Sequence, residues 1–582
     1  MSNSMSAATK GFTRNGRSKD LVVILHAFRG GPGSVASVAG HVRAERPDAD
    51  LYVPQLPCKL FSRADPEAIA QEQLQAIDRL WREKDGGYGS ITFVGHSIGG
   101  LLARRIFLLK KAQEESGDSG VDQPPWADRV DRIVLLAAMN RGWSAGHHLS
   151  PLHYVQWKIG AAIAGALNPT GTAPFLIMSI RRGAPFITRL RVEWIQAGNR
   201  AAASGGTLPM TVQLLGSVDD MVAPSDNIDL VSGRGFHYLD VPYSGHASVV
   251  RLDDETPVTD RTGAPSTAGN ERRKVLSTAL TADAKTLDDA GYIPSDRPLN
   301  PQNREITDVV FVIHGIRDVG HWTQKIARAI MSRHKETHGV IRMASETSSY
   351  GFFPMLPFLL PWERRRKVEW FMDQYAEALA EFPGAAFSFV GHSNGTYLLA
   401  RALRDYPFCT FRNVVFAGSV VRSDYDWQMV RDRGQVSRVL NFVATSDWVV
   451  AIFPKAIEQL KLQDLGSGGH DGFETASHDP DLFEVRYVKG KHSAALVEEN
   501  WNAIAEFVVT GDLPDVPASI RSDNQSERLA QISRAAPFVW LVLLAMLTGF
   551  GAILWFLGGA GVWGTLLVVL YTVFIWKVIT SL

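Results

Sequence analysis

The chain carries two copies of one short motif, Gly-His-Ser-Ile-Gly at residues 95–99 and Gly-His-Ser-Asn-Gly at residues 391–395. Each copy follows a run rich in β-branched and aromatic residues, 91–94 and 386–390, and precedes a stretch that reads as a helix. Gly-x-Ser-x-Gly between a strand and a helix predicts a sharp, strained turn that presents the serine hydroxyl to a cleft. Only small flanking residues let the backbone close there, so two strand–turn–helix units are expected.

Apolar runs at similar positions around both motifs predict strands that are buried on both faces of a parallel sheet. The runs of the first half are 21–25, 50–54, 91–94, 132–136, 211–215 and 236–239, and those of the second half are 309–313, 340–343, 386–390, 414–417, 439–443 and 483–487. Helical patterns separate them, and residues 271–291 are expected to form the final helix of the first half. This alternation predicts the α/β class, with two domains that each hold a mostly parallel sheet flanked by helices.

Composition excludes several classes of protein. Lys plus Arg and Asp plus Glu are balanced at 60 each, so no basic face for nucleic acid is indicated. The two cysteines, Cys58 and Cys409, lie in different halves, which argues against a disulfide scaffold. Residues 1–19 are polar and lack the apolar core of a signal peptide, so a disordered N-terminus is expected.

The C-terminal region has a different character. From Ala535 to Trp576 the chain contains no Asp, Glu, Lys or Arg. Because a helix of about 20 apolar residues crosses a bilayer, the run predicts two transmembrane helices over about 536–557 and 562–580. Arginines before the first span and Lys577 near the end of the second favour a cytoplasmic location for both ends. The alternative is a buried helix pair in a soluble core.

Both halves resemble the α/β-hydrolase superfamily, whose members order their catalytic triad along the chain as serine, acid and histidine. The resemblance covers most of residues 20–510 by strand order and implies Ser97 as the first nucleophile. Gly-Ser-Val-Asp-Asp-Met-Val at 216–222 is similar to the acid turn of the family and selects Asp219, with Asp220 as the alternative. The base is expected to be His246, which follows the last strand, whereas His237 lies inside that strand and is expected to be structural.

In the second half the resemblance implies Ser393 as nucleophile and Asp447 as acid, because Asp447 has the same spacing to a following valine. Three histidines come later. His492 lies between the last strand and a helical run, where the family keeps its base. His470 and His478 lie in a loop rich in Gly and Asp, and surface or pocket roles are expected for them.

The expected chemistry is acyl transfer. Histidine accepts the serine proton because its ordinary pKa lies near ~6.5, and the carboxylate orients the imidazole. The tetrahedral intermediate needs backbone N–H donors, which are expected from the residue after each serine and from the loop after each first core strand. These oxyanion-hole candidates are Ala27, Phe28 and Ile98 in the first half and Gly315, Ile316 and Asn394 in the second.

Two apolar segments bear on the substrate. An insertion over about 140–207 is expected to form a lid of the first domain, and it suits an acyl chain. Residues 350–362 are apolar and precede the basic run 363–367. This segment is expected either to touch an anionic membrane surface or to cap the second site.

Together these patterns predict a membrane-anchored serine hydrolase of the esterase or lipase type, with catalytic domains facing the cytoplasm. It is expected to need no cofactor and no metal. Its expected partners are a small acyl or lipid substrate and the bilayer, and the oligomeric state is left open. The alternative is a membrane-tethered binding or signalling scaffold in which one or both domains are silent. The expected parts are the N-terminus 1–19, a first domain 20–291, a linker 292–305, a second domain 306–512, a tether 513–534 and the hairpin 535–582.

Overall fold

The computed structural model describes residues 11–15, 19–116, 124–144, 175–217, 229, 235–260, 262–290, 302–316, 322–351, 353, 355–558 and 561–581. The chain divides into two compact units. The first comprises Met1–Pro301 with Tyr375–Ala380, and the second comprises Gln302–Gln374 with Glu381–Leu582. Each unit holds its own sheet.

The first unit is built on a seven-stranded sheet with the order β1-β3-β2-β4-β5-β6-β7. Its strands are β1 Phe12–Thr13, β2 Asp20–Leu25, β3 Asp50–Tyr52, β4 Ser90–His96, β5 Val130–Leu136, β6 Met210–Gly216 and β7 Phe236–Val241. All neighbouring pairs are parallel except β1 with β3. The six runs predicted from the sequence all form strands here, since β-branched residues suit a sheet that is covered on both faces.

Helices cover both faces of this sheet. Alternate residues of β2 face two separate apolar clusters: Leu21, Val23 and Leu25 lie in one, Val22 and Ile24 in the other. The helices of the unit are Ala36–Glu45, Pro66–Arg82, Ile98–Glu115, Leu176–Ser179, Pro185–Ala203, Ala268–Thr281 and Ala284–Ala290. Strands β8 Pro257–Thr259 and β9 Pro265–Thr267 pair as a separate antiparallel hairpin.

One sequence expectation for this unit was wrong in detail. The single final helix predicted over 271–291 is two helices, because Ala282 adopts an extended conformation and Asp283 then accepts a hydrogen bond from the Thr286 N–H. The lid expected over 140–207 stays a prediction. Within that range, helix Pro185–Ala203 packs into the core through Ile187, Leu190 and Trp194, and residues 145–174 lie outside the described part.

The second unit has a six-stranded sheet with the order β11-β10-β12-β13-β14-β15, and every pair is parallel. Its strands are β10 Asp308–Ile313, β11 Met343–Glu346, β12 Ala386–His392, β13 Phe411–Ala417, β14 Val436–Ala444 and β15 Leu482–Val488. The strand predicted at 340–343 begins three residues later. Gly339 ends the preceding helix in the left-handed conformation, and Val340 and Ile341 are exposed in the connection.

The helices of the second unit are Thr323–His338, Met355–Leu359, Pro361–Glu381, Asn394–Asp405, Trp427–Asp432, Trp448–Gln459, Trp501–Thr510, Glu527–Arg534, Ala536–Gly558 and Val562–Ser581. Both sheets are therefore mostly parallel and flanked by helices, and the predicted α/β class is confirmed at that level. The segment predicted as a tether lies along β15, because Tyr487 and Ser522 exchange two backbone hydrogen bonds of 2.9 Å.

The last two helices pack against each other. The Tyr571 hydroxyl donates to the Leu547 carbonyl at 3.0 Å, and the Phe550 and Tyr571 rings lie 5.3 Å apart. Helix Ala536–Gly558 is long and apolar enough to cross a membrane, and its apolar stretch is not covered by the rest of the chain. The second helix offers only the shorter apolar stretch Val562–Ile575. Of the two predicted transmembrane helices, one therefore meets this requirement within the described residues.

Candidate active site

The first serine motif forms the turn between β4 and helix Ile98–Glu115. Ser97 has φ 55° and ψ −118°, a conformation that a non-glycine residue rarely adopts. Its N–H donates to the Leu136 carbonyl of β5 at 3.0 Å, which holds the turn in place. A Cβ at Gly95 or at Gly99 would come within 2.5 Å or 2.3 Å of other backbone atoms. The motif therefore needs glycine on both sides of the serine because the chain is crowded there.

The structure brings His246 to Ser97. The two side chains are buried, and the distance from His246 Nε2 to Ser97 Oγ is 3.0 Å. The loop that carries His246 follows β7, and the His96 ring supports it through Nε2, which donates to the His246 carbonyl at 2.9 Å. In the tautomer whose Nε2 accepts, Ser97 can give its proton to this ring. This contact is the one that general-base activation of a serine requires.

The acid candidates Asp219 and Asp220 lie outside the described residues. The turn that precedes them starts beside the His246 loop, because a Cβ at Gly216 would meet the Ser244 carbonyl at 2.9 Å. His237 makes an ion-pair contact to Asp288, with 2.9 Å between Nδ1 and Oδ1. The structure therefore gives His237 a partner outside the Ser97 site.

The second serine motif repeats this geometry between β12 and helix Asn394–Asp405. Ser393 has φ 52° and ψ −119°, and its N–H donates to the Ala417 carbonyl at 3.0 Å. A Cβ at Gly395 would lie 2.5 Å from the Ile313 carbonyl oxygen. The two serines thus share one backbone conformation within about three degrees.

Asp447 and His492 meet in the second unit. His492 Nδ1 lies 2.9 Å from Asp447 Oδ2, and the carboxylate is fully buried. The other carboxylate oxygen accepts the Val450 N–H at 3.0 Å and so caps helix Trp448–Gln459. One residue thereby starts the helix and orients the imidazole. In the part of the chain that the structure describes, no hydrogen bond joins His492 to Ser393.

Because Gly418 has no side chain, the His492 imidazole can lie close to the backbone there. Gly418 follows β13 with φ 55°, and a Cβ there would lie 2.9 Å from both Nδ1 and Cε1 of His492. The remaining histidines serve elsewhere. His470 is buried against Ser533 and Gln525, and burial lowers its pKa. His478 is exposed after a short 3₁₀ turn.

The sequence analysis missed one residue in each unit, the histidine that ends the first core strand. His26 Nε2 accepts the Leu56 N–H at 2.9 Å, so its Nδ1–H must donate to the Ala27 carbonyl, also at 2.9 Å. Burial lowers the pKa of His26, which favours the neutral ring that this pattern requires. His314 repeats the contact with the Gly315 carbonyl at 2.8 Å. The sequence did carry a signal for these two residues, because a histidine directly follows the first core strand in both halves.

The oxyanion-hole candidates lie on these two loops and on the helices after the serines. Ile98 and Asn394 are the first residues of their helices, where the backbone N–H has no acceptor within the helix. Gly315 lies against the nucleophile, since a Cβ there would be 2.8 Å from Ser393 Cβ. Ala27 accepts the His26 hydrogen bond and also the Gly30 N–H at 3.0 Å, and Phe28 and Ile316 follow in their loops.

The apolar segment before the basic run packs inward. Tyr350, Phe353 and Phe358 are buried. The basic side chains are engaged within the unit: Arg364 pairs with Asp464 at 2.9 Å, and Lys367 donates to the Tyr350 carbonyl at 3.0 Å. These contacts favour the cap over a basic surface directed at lipid. Among the described ranges, no group of three or more His, Cys, Asp or Glu side chains is arranged to hold a metal ion.

No family model matches this chain, and no curated protein matches it. Solved structures resemble part of it. A lipase-esterase related protein from Clostridium acetobutylicum is 12% identical over 41% of this chain and 92% of its own, with a TM-score of 0.25. A thermophilic esterase from Thermogutta terrifontis is 14% identical over 48% and 93%, with a TM-score of 0.27. The RedJ thioesterase from Streptomyces coelicolor is 16% identical over 45% and 91%, with a TM-score of 0.25. Identities and TM-scores this low carry no inference about what this chain does.

Proposed function

We propose that this chain is a membrane-anchored serine hydrolase that cleaves an acyl ester. The observation that carries the proposal is the 3.0 Å contact between Ser97 and His246 at a strained strand-to-helix turn. Ser97 would attack the ester carbonyl while His246 takes its proton, and Asp219 would orient the imidazole, with Asp220 as the alternative. The N–H groups of Ala27 or Phe28 and of Ile98 would stabilise the oxyanion.

The second site would use Ser393, His492 and Asp447 in the same roles, with Gly315 or Ile316 and Asn394 as oxyanion donors. The contact of His492 with the buried Asp447 supports this assignment, because a buried carboxylate stabilises the imidazolium as it forms. Hydrolase domains over 20–291 and 306–512 would then lie in tandem. No step in this chemistry calls for a cofactor or a metal.

The bilayer is the proposed partner of residues 535–582. Helix Ala536–Gly558 exposes apolar side chains along its length, including Phe538, Leu541, Met546 and Phe556. Helix Val562–Ser581 would cross beside it as the second half of a hairpin, since the two pack together. Arg521, Arg528 and Arg534 precede the first span and favour catalytic domains on the cytoplasmic side. A lipid or other acyl substrate near the membrane suits this location.

A second candidate is a protein in which one unit is catalytic and the other serves as a binding or signalling module. The observation that favours it is the absence of a hydrogen bond between His492 and Ser393 among the described residues, whereas His246 and Ser97 have one. Both candidates predict labelling at Ser97. They differ in what happens at Ser393.

Fluorophosphonate labelling tests the proposal, because the probe loses fluoride only to an activated serine. The purified, detergent-solubilised chain is compared with Ser97→Ala, Ser393→Ala and the double variant, and the exposed Ser116→Ala serves as the control. We expect each single variant to lose the signal from one serine and the double variant to lose it all. Labelling at Ser97 alone supports the mixed protein. A folded wild type that takes no label, or a double variant that still labels, contradicts the serine-hydrolase assignment.

A further inference from the structure

In the second unit, Ser349 and Tyr350, which follow β11, contact the histidine of the oxyanion loop, His314. The Ser349 hydroxyl lies 2.8 Å from His314 Nε2, and the Tyr350 hydroxyl donates to the His314 carbonyl at 2.9 Å. The Tyr350 ring also stacks on the imidazole, with 4.5 Å between ring centroids. His314 directly precedes Gly315, which lies against Ser393. Tyr350 therefore contacts the residue that directly precedes the glycine lying against Ser393.

Tyr350 also reaches the other side of the site. The Asn394 Nδ2 donates to the Tyr350 hydroxyl at 3.1 Å, and both side chains are buried. Asn394 is the residue after Ser393, and its backbone N–H is the second proposed oxyanion donor. Its Oδ1 atom is buried without a hydrogen-bond partner among the described residues. The Tyr350 hydroxyl is thus the polar contact that orients this side chain within the described part of the unit.

Tyr350 is itself held by helix Pro361–Glu381. Lys367 donates to the Tyr350 carbonyl at 3.0 Å and places Nζ 5.4 Å from the ring centroid. The Trp370 ring packs edge-on at 5.6 Å. A side chain restrained on this many sides can set a distance between two loops without moving.

We propose that Tyr350 is a positioning residue of the second site, which sets the separation between the Gly315–Ile316 loop and the Asn394 N–H. The proposal rests on the proposed function of Ser393. An oxyanion hole works when its donors are already aimed at the charge that develops, and one hydroxyl here contacts both supports of the hole. Among the described residues of the first unit there is no equivalent bridge through this position, because Ile98 has an apolar side chain and His26 is held by the Leu56 backbone.

The test measures steady-state hydrolysis of a short-chain p-nitrophenyl ester by the full-length chain carrying Ser97→Ala, so that turnover reports Ser393 alone. Tyr350→Phe is compared with Tyr397→Phe as a matched control. The Tyr397 hydroxyl donates a 2.9 Å hydrogen bond to Asp464 and makes no contact with the oxyanion loop among the described residues. We expect kcat of Tyr350→Phe to fall by about tenfold or more and KM to stay nearly unchanged. The fall should be smaller than the roughly hundredfold loss caused by deleting an oxyanion donor itself. Tyr397→Phe should keep both constants.

A second variant keeps the test decisive if Tyr350→Phe does not fold. Asn394→Ile copies the residue of the first unit and removes one of the two hydrogen bonds of the Tyr350 hydroxyl, so it should lower kcat to the same extent as Tyr350→Phe or less. Adding it to Tyr350→Phe should change kcat little further, since Tyr350→Phe already removes the bond to Asn394. If the parent is active and Tyr350→Phe leaves kcat unchanged or only raises KM, the positioning role is overturned and the proposed function of Ser393 stands. A folded parent that neither turns over ester nor labels at Ser393 overturns the proposed function of the second site and this role with it.

Discussion

The two motif serines are held in a backbone conformation that costs free energy. A residue other than glycine at such φ and ψ values costs on the order of 1–3 kcal/mol and persists only where neighbours enforce it. Here the enforcing contacts are the hydrogen bonds from the serine N–H groups to the Leu136 and Ala417 carbonyls of the next strand. In the proposed mechanism this strain would turn the hydroxyl out of the sheet and leave the following N–H to bind an oxyanion.

Gly418→Ala should silence Ser393 without affecting Ser97. The new Cβ would lie 2.9 Å from His492 Nδ1, so the imidazole must move away from Asp447. The matched control is Gly434→Ala, which has a similar φ of 65° but no atom within 4 Å of its added Cβ. Both variants carry a cost of about 1–2 kcal/mol for a Cβ at positive φ. We expect fluorophosphonate labelling at Ser393 to be lost only in Gly418→Ala, and its retention there would contradict the role given to Gly418.

The first unit carries Ala137 at the equivalent position, directly after β5 and with φ 46°. At the residue scale, only part of the candidate site could be predicted from the sequence. Local patterns identified both serines, because crowding at a tight turn requires glycine at fixed spacing. They did not reveal the contacts of Tyr350 with His314 and Asn394, since these join segments far apart in the chain.

At the scale of elements, one helix connects the second candidate site to the apolar helix Ala536–Gly558. Helix Trp448–Gln459 begins at Asp447, the proposed acid. Farther along the helix, the Phe453 ring packs 5.3 Å from Trp540, whose Nε1 donates to the Ile452 carbonyl at 3.3 Å. Lys455 of the same helix donates to the Ser533 hydroxyl at 3.1 Å, so the end of the segment predicted as a tether docks on the element that carries the proposed acid. The sequence predicted this segment as a polar tether, because composition alone does not show which surface a polar segment covers.

Docking of this segment should depend on pH through His470. Its imidazole contacts Ser533 at 3.3 Å and Gln525 at 3.0 Å. Burial is the main cause that lowers its pKa below the ordinary 6.5; Asp471 and Asp447 oppose this shift and Lys455 adds to it. Above 6.5 the ring is neutral whether docked or free, so docking is at full strength. As the pH falls below 6.5, the free form binds a proton more readily, and docking weakens until the lower pKa is passed.

Amide hydrogen exchange between pH 5 and 8, corrected for intrinsic rates, measures this effect. We expect residues 525–535 to lose protection on the acidic side in wild type and to show a flatter profile in His470→Gln. Protection within β12 serves as the internal reference for global stability. A pH profile that is the same in both proteins would rule out His470 as the titrating group.

At the scale of the whole molecule, the α/β class was predictable from the sequence. Strands buried in a parallel sheet are continuous apolar runs, which can be recognised without knowing the strands beside them. The final helix pair was predicted less well. Residues 536–558 form a helix of the length needed, whereas within the described residues the second helix offers the apolar stretch Val562–Ile575.

Two arginines near the middle of helix Ala536–Gly558 should release the full-length chain from membranes. Met546 is largely exposed, and a Cβ at Gly549 would meet no other atom within 4 Å, so we expect Met546→Arg with Gly549→Arg to leave the packing of the unit intact. Each arginine near the centre of a span costs about 2.5–3.5 kcal/mol on insertion. The control pair Met546→Leu with Gly549→Ala keeps the surface apolar. We expect the control to remain in the carbonate-washed membrane fraction and the arginine variant to appear in the wash, while Ser97 in both takes the fluorophosphonate label that reports a folded first unit. An arginine variant that stays in the membrane with that label intact would mean that helix Ala536–Gly558 does not anchor the protein.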